Sequence, residues 1–304
     1  MNTKNDIYER INAIIIDQME NGVCPWSKPW KSVQSGESYI SGSTGKGYSF
    51  LNVMLLQMQG KSAGEFLTFK QVKERGGNVK KGCHGAMVTF YKRIVKVDTI
   101  IDEETGEELQ HIDSYPVLKG YTVFNVLTDC EGIDPKHYTE GETLTEQEGD
   151  FEESAEAIVK GYIDNGGPRL TLTESNEAYY RPSTDEVVCP RRAQYERVNE
   201  YYSTLFHELT HSTGHESRLN RLNKTAAFGS KDYSAEELVA ELGSSYLRGV
   251  AGILGESDTQ NSAAYLRGWI RKFKDDKKIF CVAAARAEKA ARYILGEIDD
   301  EQQK

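Results

Sequence analysis

The chain has 304 residues, which favours two domains over one, and its 38% hydrophobic and 28% charged residues describe an ordinary globular protein with a net charge of −10. No apolar run approaches the roughly 20 residues of a membrane span, and the polar N-terminus lacks a secretory pattern. Five scattered cysteines with no C-x-x-C pair exclude a disulfide framework and a cysteine-based zinc ribbon, so a reducing cytoplasm without membrane contact is the expected setting.

In chain order, Ile7, Ile11, Ile14, Ile15 and Met19 recur at helical spacing and predict a helix over 4–21, ended by Gly22. A Gly/Ser-rich loop follows over 35–47. Short helices are predicted over 50–58 and 66–75, the latter stopped by Gly76-Gly77. The pattern then turns strand-like over 87–92, 94–101 and 121–126, with a turn at Glu104-Thr105-Gly106-Glu107. This makes a small α+β unit over 1–130. Residues 131–150 are acidic, contain Gly, Pro and Thr without periodicity, and predict a linker. The second unit, 151–304, opens with a helix over 151–165. Short strands are predicted over 170–174, 178–181 and 186–189, the last two around a Pro182-Ser183-Thr184-Asp185 turn. Helical patterns over 193–213, 234–254, 262–274 and 276–296 complete it. The fold class is therefore α+β, with a mainly helical second part that carries a small sheet.

The strongest chemical signal is His207-Glu208-Leu209-Thr210-His211 inside the 193–213 helical pattern. Histidines four apart share one helix face, where both imidazoles can reach a single ion. Zinc lowers the pKa of a bound water to roughly 7, and Glu208 is placed to act as the base beside it. A third protein ligand is required. His215 is near, but the third histidine of long zinc motifs stands six residues after the second, so His215 is assigned a supporting role. Glu237 and Glu241 share a face of the next helix, which resembles the gluzincin arrangement. On that pattern Glu237 is the ligand and Glu241 orients a ligating histidine. Ser234-Ala235-Glu236-Glu237 also reads as a capping box, which would occupy Glu237 and move the ligand to Glu241.

Charge is divided unevenly. Residues 1–97 hold 14 Lys+Arg and 7 Asp+Glu, and residues 98–304 hold 23 and 40. A polyanion would meet the first part. There Trp26, Lys28, Trp30 and Lys31 interleave in a proline-fixed loop, and Lys46, Tyr48, Lys80, Lys81, Lys92 and Arg93 add basic and aromatic positions. Each tryptophan taken singly fits a core anchor better, but the mixture together with the positive charge of this part suits single-stranded nucleic acid.

The ordered set of motifs resembles the ArdC-type antirestriction proteins of conjugative elements. It comprises Pro25-Trp26-Ser27-Lys28-Pro29-Trp30, Gly47-Tyr48-Ser49-Phe50-Leu51-Asn52, Gly76 to Gly82, Gly120 to Val126, His207 to His215 with Ser217-Arg218-Leu219, and Glu236 to Leu242. The resemblance implies an N-terminal single-stranded-DNA-binding domain and a C-terminal zincin-like metallopeptidase domain holding one zinc ion. It further implies a role in protecting incoming DNA from host restriction; it does not establish proteolysis, and the expected protein or peptide substrate stays unidentified.

Overall fold

The computed structural model describes residues 6–27, 38–101, 108–139, 150–222, 231–253 and 262–297. Helix α1 (Ile7–Glu20) starts where the Asp6 carboxylate accepts the Tyr8 amide, and it buries Ile11, Ile15 and Met19. Strand β1 (Tyr39–Ser41) lies within the stretch expected to be loop. Helix α2 (Phe50–Met58) has the predicted bounds. Strand β2 (Gly64–Thr68) and helix α3 (Phe69–Glu74) replace the single helix expected over 66–75. Phe66 and Leu67 are both buried, one on each face of the sheet, and Thr68 caps α3 in a box with Gln71. Gly64 has φ +155°, and a Cβ there would meet the Asn125 side chain at 2.6 Å, so the chain enters β2 only through glycine.

Strand β3 (Asn78–Val79) is followed by β4 (Ala86–Ile101) and β5 (Glu108–Asn125), which pair without interruption from Ala86↔Val123 to Ile101↔Glu108. The turn expected at Glu104 to Glu107 lies outside the described residues. Helix α4 (Val126–Asp129) and strand β6 (Cys130–Glu131) close this part. Its main sheet has the order β1-β2-β5-β4, and β3 pairs with β6. The described start of the acidic segment is tied down. Fully buried Glu65 forms an ion pair with Arg75 at 2.5 Å and accepts the backbone amides of Lys136 and His137 at 2.7 and 2.6 Å.

The second part contains α5 (Asp150–Asp164), β7 (Arg169–Thr173), β8 (Tyr179–Arg181), β9 (Glu186–Pro190), α6 (Val198–Ser212), α7 (Lys231–Val250), α8 (Ala263–Asp275) and α9 (Ile279–Ile294). A short 3-10 turn at Arg192–Gln194 occupies the start of the helix expected from 193. Its sheet has the order β7-β9-β8. Alanines 283, 284, 287, 290 and 291 of α9 are buried, so small side chains let α7 and other helices approach it closely.

The largest core crosses the whole molecule. Ile11, Ile15, Cys24, Trp26 and Met54 from the first part pack with Leu238, Val239, Leu242, Trp269, Phe273 and Phe280 from the second. A second core joins α5, β9, α6 and the C-terminal ends of α7 and α9.

The loop after α6 is anchored by Arg218, which is 5% exposed, ion-paired with Asp185 and hydrogen-bonded to the Ser212 carbonyl at 2.8 Å. Burial raises the Asp185 carboxyl, but the Arg218 guanidinium and Tyr180 hydroxyl outweigh it and hold the pKa below the usual carboxylate value. Arg218→Ala should lower stability by about 3 kcal/mol, read as a fall in thermal midpoint, because a buried anchor is removed. A depressed carboxyl stabilises the fold above its unfolded pKa. The Asp185 contribution should therefore be lost as pH falls below about 4, and the wild-type and Arg218→Ala denaturation midpoints should converge there.

Candidate metal centre

Helix α6 presents His207 and His211 on one face, one turn apart. Helix α7 crosses it closely: a Cβ on Gly243 would meet the Thr210 hydroxyl at 2.7 Å. This approach brings Glu237 to the two histidines. The His207 and His211 Nε2 atoms are 3.1 Å apart, and each lies 3.6 Å from a Glu237 carboxylate oxygen. In a tetrahedral site with ligand bonds of roughly 2.0–2.1 Å, ligand atoms stand about 3.3 Å apart. The spacing therefore fits one small divalent ion, and His207, His211 and Glu237 form the one such group among the described residues. Two imidazoles and a carboxylate suit zinc and similar divalent ions.

The electrostatics agree with a cation site. Burial favours neutral His207, but the Glu237 hydrogen bond and the charges of Glu241 and Glu208 outweigh it and push the imidazole up to about 9. Glu208 is 9% exposed. Its charge also acts on Cys189 and Tyr195, which places it on the side of α6 that faces β9. There Tyr195 is pushed up to about 12, chiefly by burial.

The carboxylate that holds His211 was not anticipated. Glu236 Oε1 lies 3.2 Å from His211 Nδ1, which leaves Nε2 for an ion. Arg221 grips Glu236 with two hydrogen bonds, at 3.0 Å from Nε and 2.8 Å from a terminal nitrogen. It also donates to the Thr210 carbonyl and the Thr213 hydroxyl, so it is fixed to the end of α6. Burial raises the Glu236 carboxyl, and His211 and Arg221 more than reverse this. The expected capping box does not form, because α7 already runs from Lys231 and Ser234 lies inside it. Glu241 stands outside the three-residue group, where its charge acts on His207 and on buried Arg248. His215 turns away and shares a 2.7 Å hydrogen bond with the Ser217 hydroxyl.

The basic and aromatic residues divide differently. Trp26 is 0% exposed, 5.8 Å from the Trp269 ring, and donates to the Tyr265 hydroxyl, so it is a core anchor and not a stacking surface. Lys28, Trp30 and Lys31 lie outside the described residues. Lys46, Lys81 and Lys92 are exposed, and Lys80 donates to the Thr128 carbonyl at 3.0 Å. Arg93 is placed only as a backbone position opposite Pro116. Tyr48 is half-buried between Phe66 and Phe90.

A His-Glu-x-x-His helix, a crossing helix that supplies a glutamate, and a small sheet beside them define a zincin-like metallopeptidase domain. Residues 157–286 match the zincin-like metallopeptidase family, and residues 5–124 match the N-terminal domain of anti-restriction factor ArdC. The crystal structure of antirestriction ArdC protein from the R388 plasmid superposes with a TM-score of 0.69 at 32% identity, covering 96% of this chain and 97% of that one. Its Mn(II)-bound form gives 0.68 at 31%, covering 96% and 98%. The chain belongs to the ArdC family of antirestriction proteins. A DNA primase TraC of Escherichia coli is 33% identical over 97% of this chain, which spans only 20% of that protein. The uncharacterized protein y4eC of Sinorhizobium fredii (strain NBRC 101917 / NGR234) is 30% identical over 99% of the chain and 95% of its own length. No helix among the described residues is long and apolar enough to cross a membrane.

Proposed function

We propose that this chain is a single-stranded-DNA-binding antirestriction protein whose second part is a zinc-dependent peptidase acting on an unidentified protein, in a cytoplasmic setting. In this reading residues 1–130 provide the DNA-binding part and 151–304 the peptidase part. The observation that carries it is the group His207, His211 and Glu237, with Glu208 next to His207 in the chain and its charge acting on that imidazole. Three protein donors leave a fourth tetrahedral position open, as hydrolytic sites require and closed structural sites do not. An ion held there supplies Lewis-acid polarisation of a water and of a substrate carbonyl. Glu208 would be the group that accepts a proton from water at the site and returns it to the leaving amine. Glu236 fixes the His211 ring, and Arg221 fixes Glu236.

Equilibrium dialysis against zinc should give one ion per chain, with manganese as the competing candidate, since the R388 relative has a Mn(II)-bound structure. Because His207 holds a proton up to about 9 in the free site, an ion must displace it. Affinity should therefore rise with pH, by up to about tenfold per unit, and level off near pH 9. A pH-independent affinity would place the ion elsewhere.

Glu236→Ala should weaken the ion's binding by about 10- to 100-fold, the usual effect of losing the partner of a ligating histidine. Glu241→Ala should cost less, because Glu241 stands outside the three-residue group and raises the His207 pKa by its charge. Isothermal titration of both variants checks the order, and the reverse order would make Glu241 the orienting residue.

A further inference from the structure

Trp26 is buried, so DNA requires another aromatic surface. The small sheet supplies one. Along its edge pair, Val88 stands opposite Tyr121, Phe90 opposite Lys119 and Lys92 opposite Val117. Opposed residues of an antiparallel ladder, and residues two apart on a strand, project to the same face. Phe90, Lys92, Lys119 and Tyr121 therefore share a face. Its reverse is covered, since Met87 and Leu118 belong to the core with α1 and Ile7 sits against Gly120. Ala86, Val88 and Val123 at one end of the face are buried, but beyond them it is open: Phe90 is 42% and Tyr121 39% exposed, and both lysines are exposed.

The two rings lie 5.8 Å apart, and Tyr48 continues the row at 5.9 Å from Phe90. Beside them a pocket of about 340 Å³ opens between Lys46, Tyr48, Phe90 and Tyr91. That is within the roughly 300–1,000 Å³ range of sites that hold a small molecule or one unit of a chain. No acidic residue falls on this face between Ala86 and Ile94 or between Tyr115 and Val123. Exposed rings flanked by cations and free of anions suit a partner with flat faces and negative charge.

We propose that this face is the stacking platform for single-stranded DNA. One base enters the pocket against Phe90, the next lies on Tyr121, and Lys46, Lys92 and Lys119 meet the phosphates. Phe90 and Tyr121 are diagonal neighbours on the two strands, with ring centroids 5.8 Å apart, so the two rings lie side by side on one face. A duplex hides its base faces and would leave the rings unused. The proposal rests on the reading that this chain binds single-stranded DNA.

The test uses the full chain and a fluorescent oligothymidylate of 20 nucleotides, followed by anisotropy. Phe90→Ala/Tyr121→Ala should weaken binding at least about tenfold, since each lost stack is worth roughly 5- to 150-fold. Phe90→Trp should retain binding. Lys92→Gln/Lys119→Gln should weaken binding and flatten its salt dependence. Phe69→Ala, which removes another exposed ring, should change nothing. Circular dichroism checks that each variant is folded. Wild-type binding that survives Phe90→Ala/Tyr121→Ala within twofold would overturn the platform and leave the DNA reading standing. Equal affinity of the wild type for duplex would also overturn it. A wild-type chain that does not bind the oligonucleotide would remove both.

Discussion

His207→Ala/His211→Ala is expected to abolish stoichiometric metal retention. Two of three protein donors are lost, and Glu237 alone cannot hold zinc against water. The affinity should fall by more than about 10³-fold, since partner residues behind a ligand are already worth roughly 10- to 100-fold. Glu237→Ala should produce a smaller loss, because the paired imidazoles remain 3.1 Å apart on α6. Metal content after gel filtration, together with a competitive chelator titration, separates these outcomes. The fold should persist in both variants, since the cores around α6 and α7 are built from Leu205, Phe206, Leu209, Leu238 and Leu242 and not from the ligands. A double variant that keeps one ion per chain would remove the metal reading altogether.

The elements most legible in the sequence were those with strong periodicity. α1, α2, α5 and the three short strands of the second part lie within a few residues of expectation, because their apolar spacing and turn residues point the same way. The 66–75 stretch was misread because a buried strand and a helix share one apolar run. Only the Thr68-Gln71 box separates them, and a box is visible at the position it caps. The helix that carries His207 and His211 was legible because His-Glu-x-x-His combines chemistry and periodicity in five residues. Glu236 was not, because the two faces of α7 carry four nearby carboxyl candidates in the helical stretch, and spacing does not say which one meets His211. Its signal was Arg221, a basic residue ten positions after His211 with no other evident partner. Trp26 shows the opposite difficulty. Proline, lysine and tryptophan suggest a binding loop, yet Trp26 fills the space between α8 and α9.

That burial bears on how the molecule behaves as a whole. Trp26 and α1 share a core with α7, and α7 carries Glu237. A fragment ending near residue 130 would expose Ile11, Ile15, Met19 and Trp26, all buried in the full chain. DNA binding is therefore best measured on the intact protein.

Glu208→Gln is expected to lower hydrolysis by about 10²-fold or more, with metal content unchanged. Glutamine keeps the size of the side chain and one carbonyl oxygen, so the packing of this buried position is preserved. It cannot take up a proton. Glu208 stands next to His207 in sequence but outside the group proposed to hold the ion, so its loss should remove base chemistry and not affinity. The nearby charge change should also relax the hold on Tyr195, whose hydroxyl Glu208 helps keep protonated. An unfolded protein such as a labelled casein, incubated with the zinc-loaded chain, provides the assay. Hydrolysis that disappears in Glu208→Gln while zinc stays at one per chain identifies Glu208 as the base. Equal hydrolysis by both proteins would assign proton transfer to another group. Zinc lost together with activity would show that Glu208 supports the ion instead.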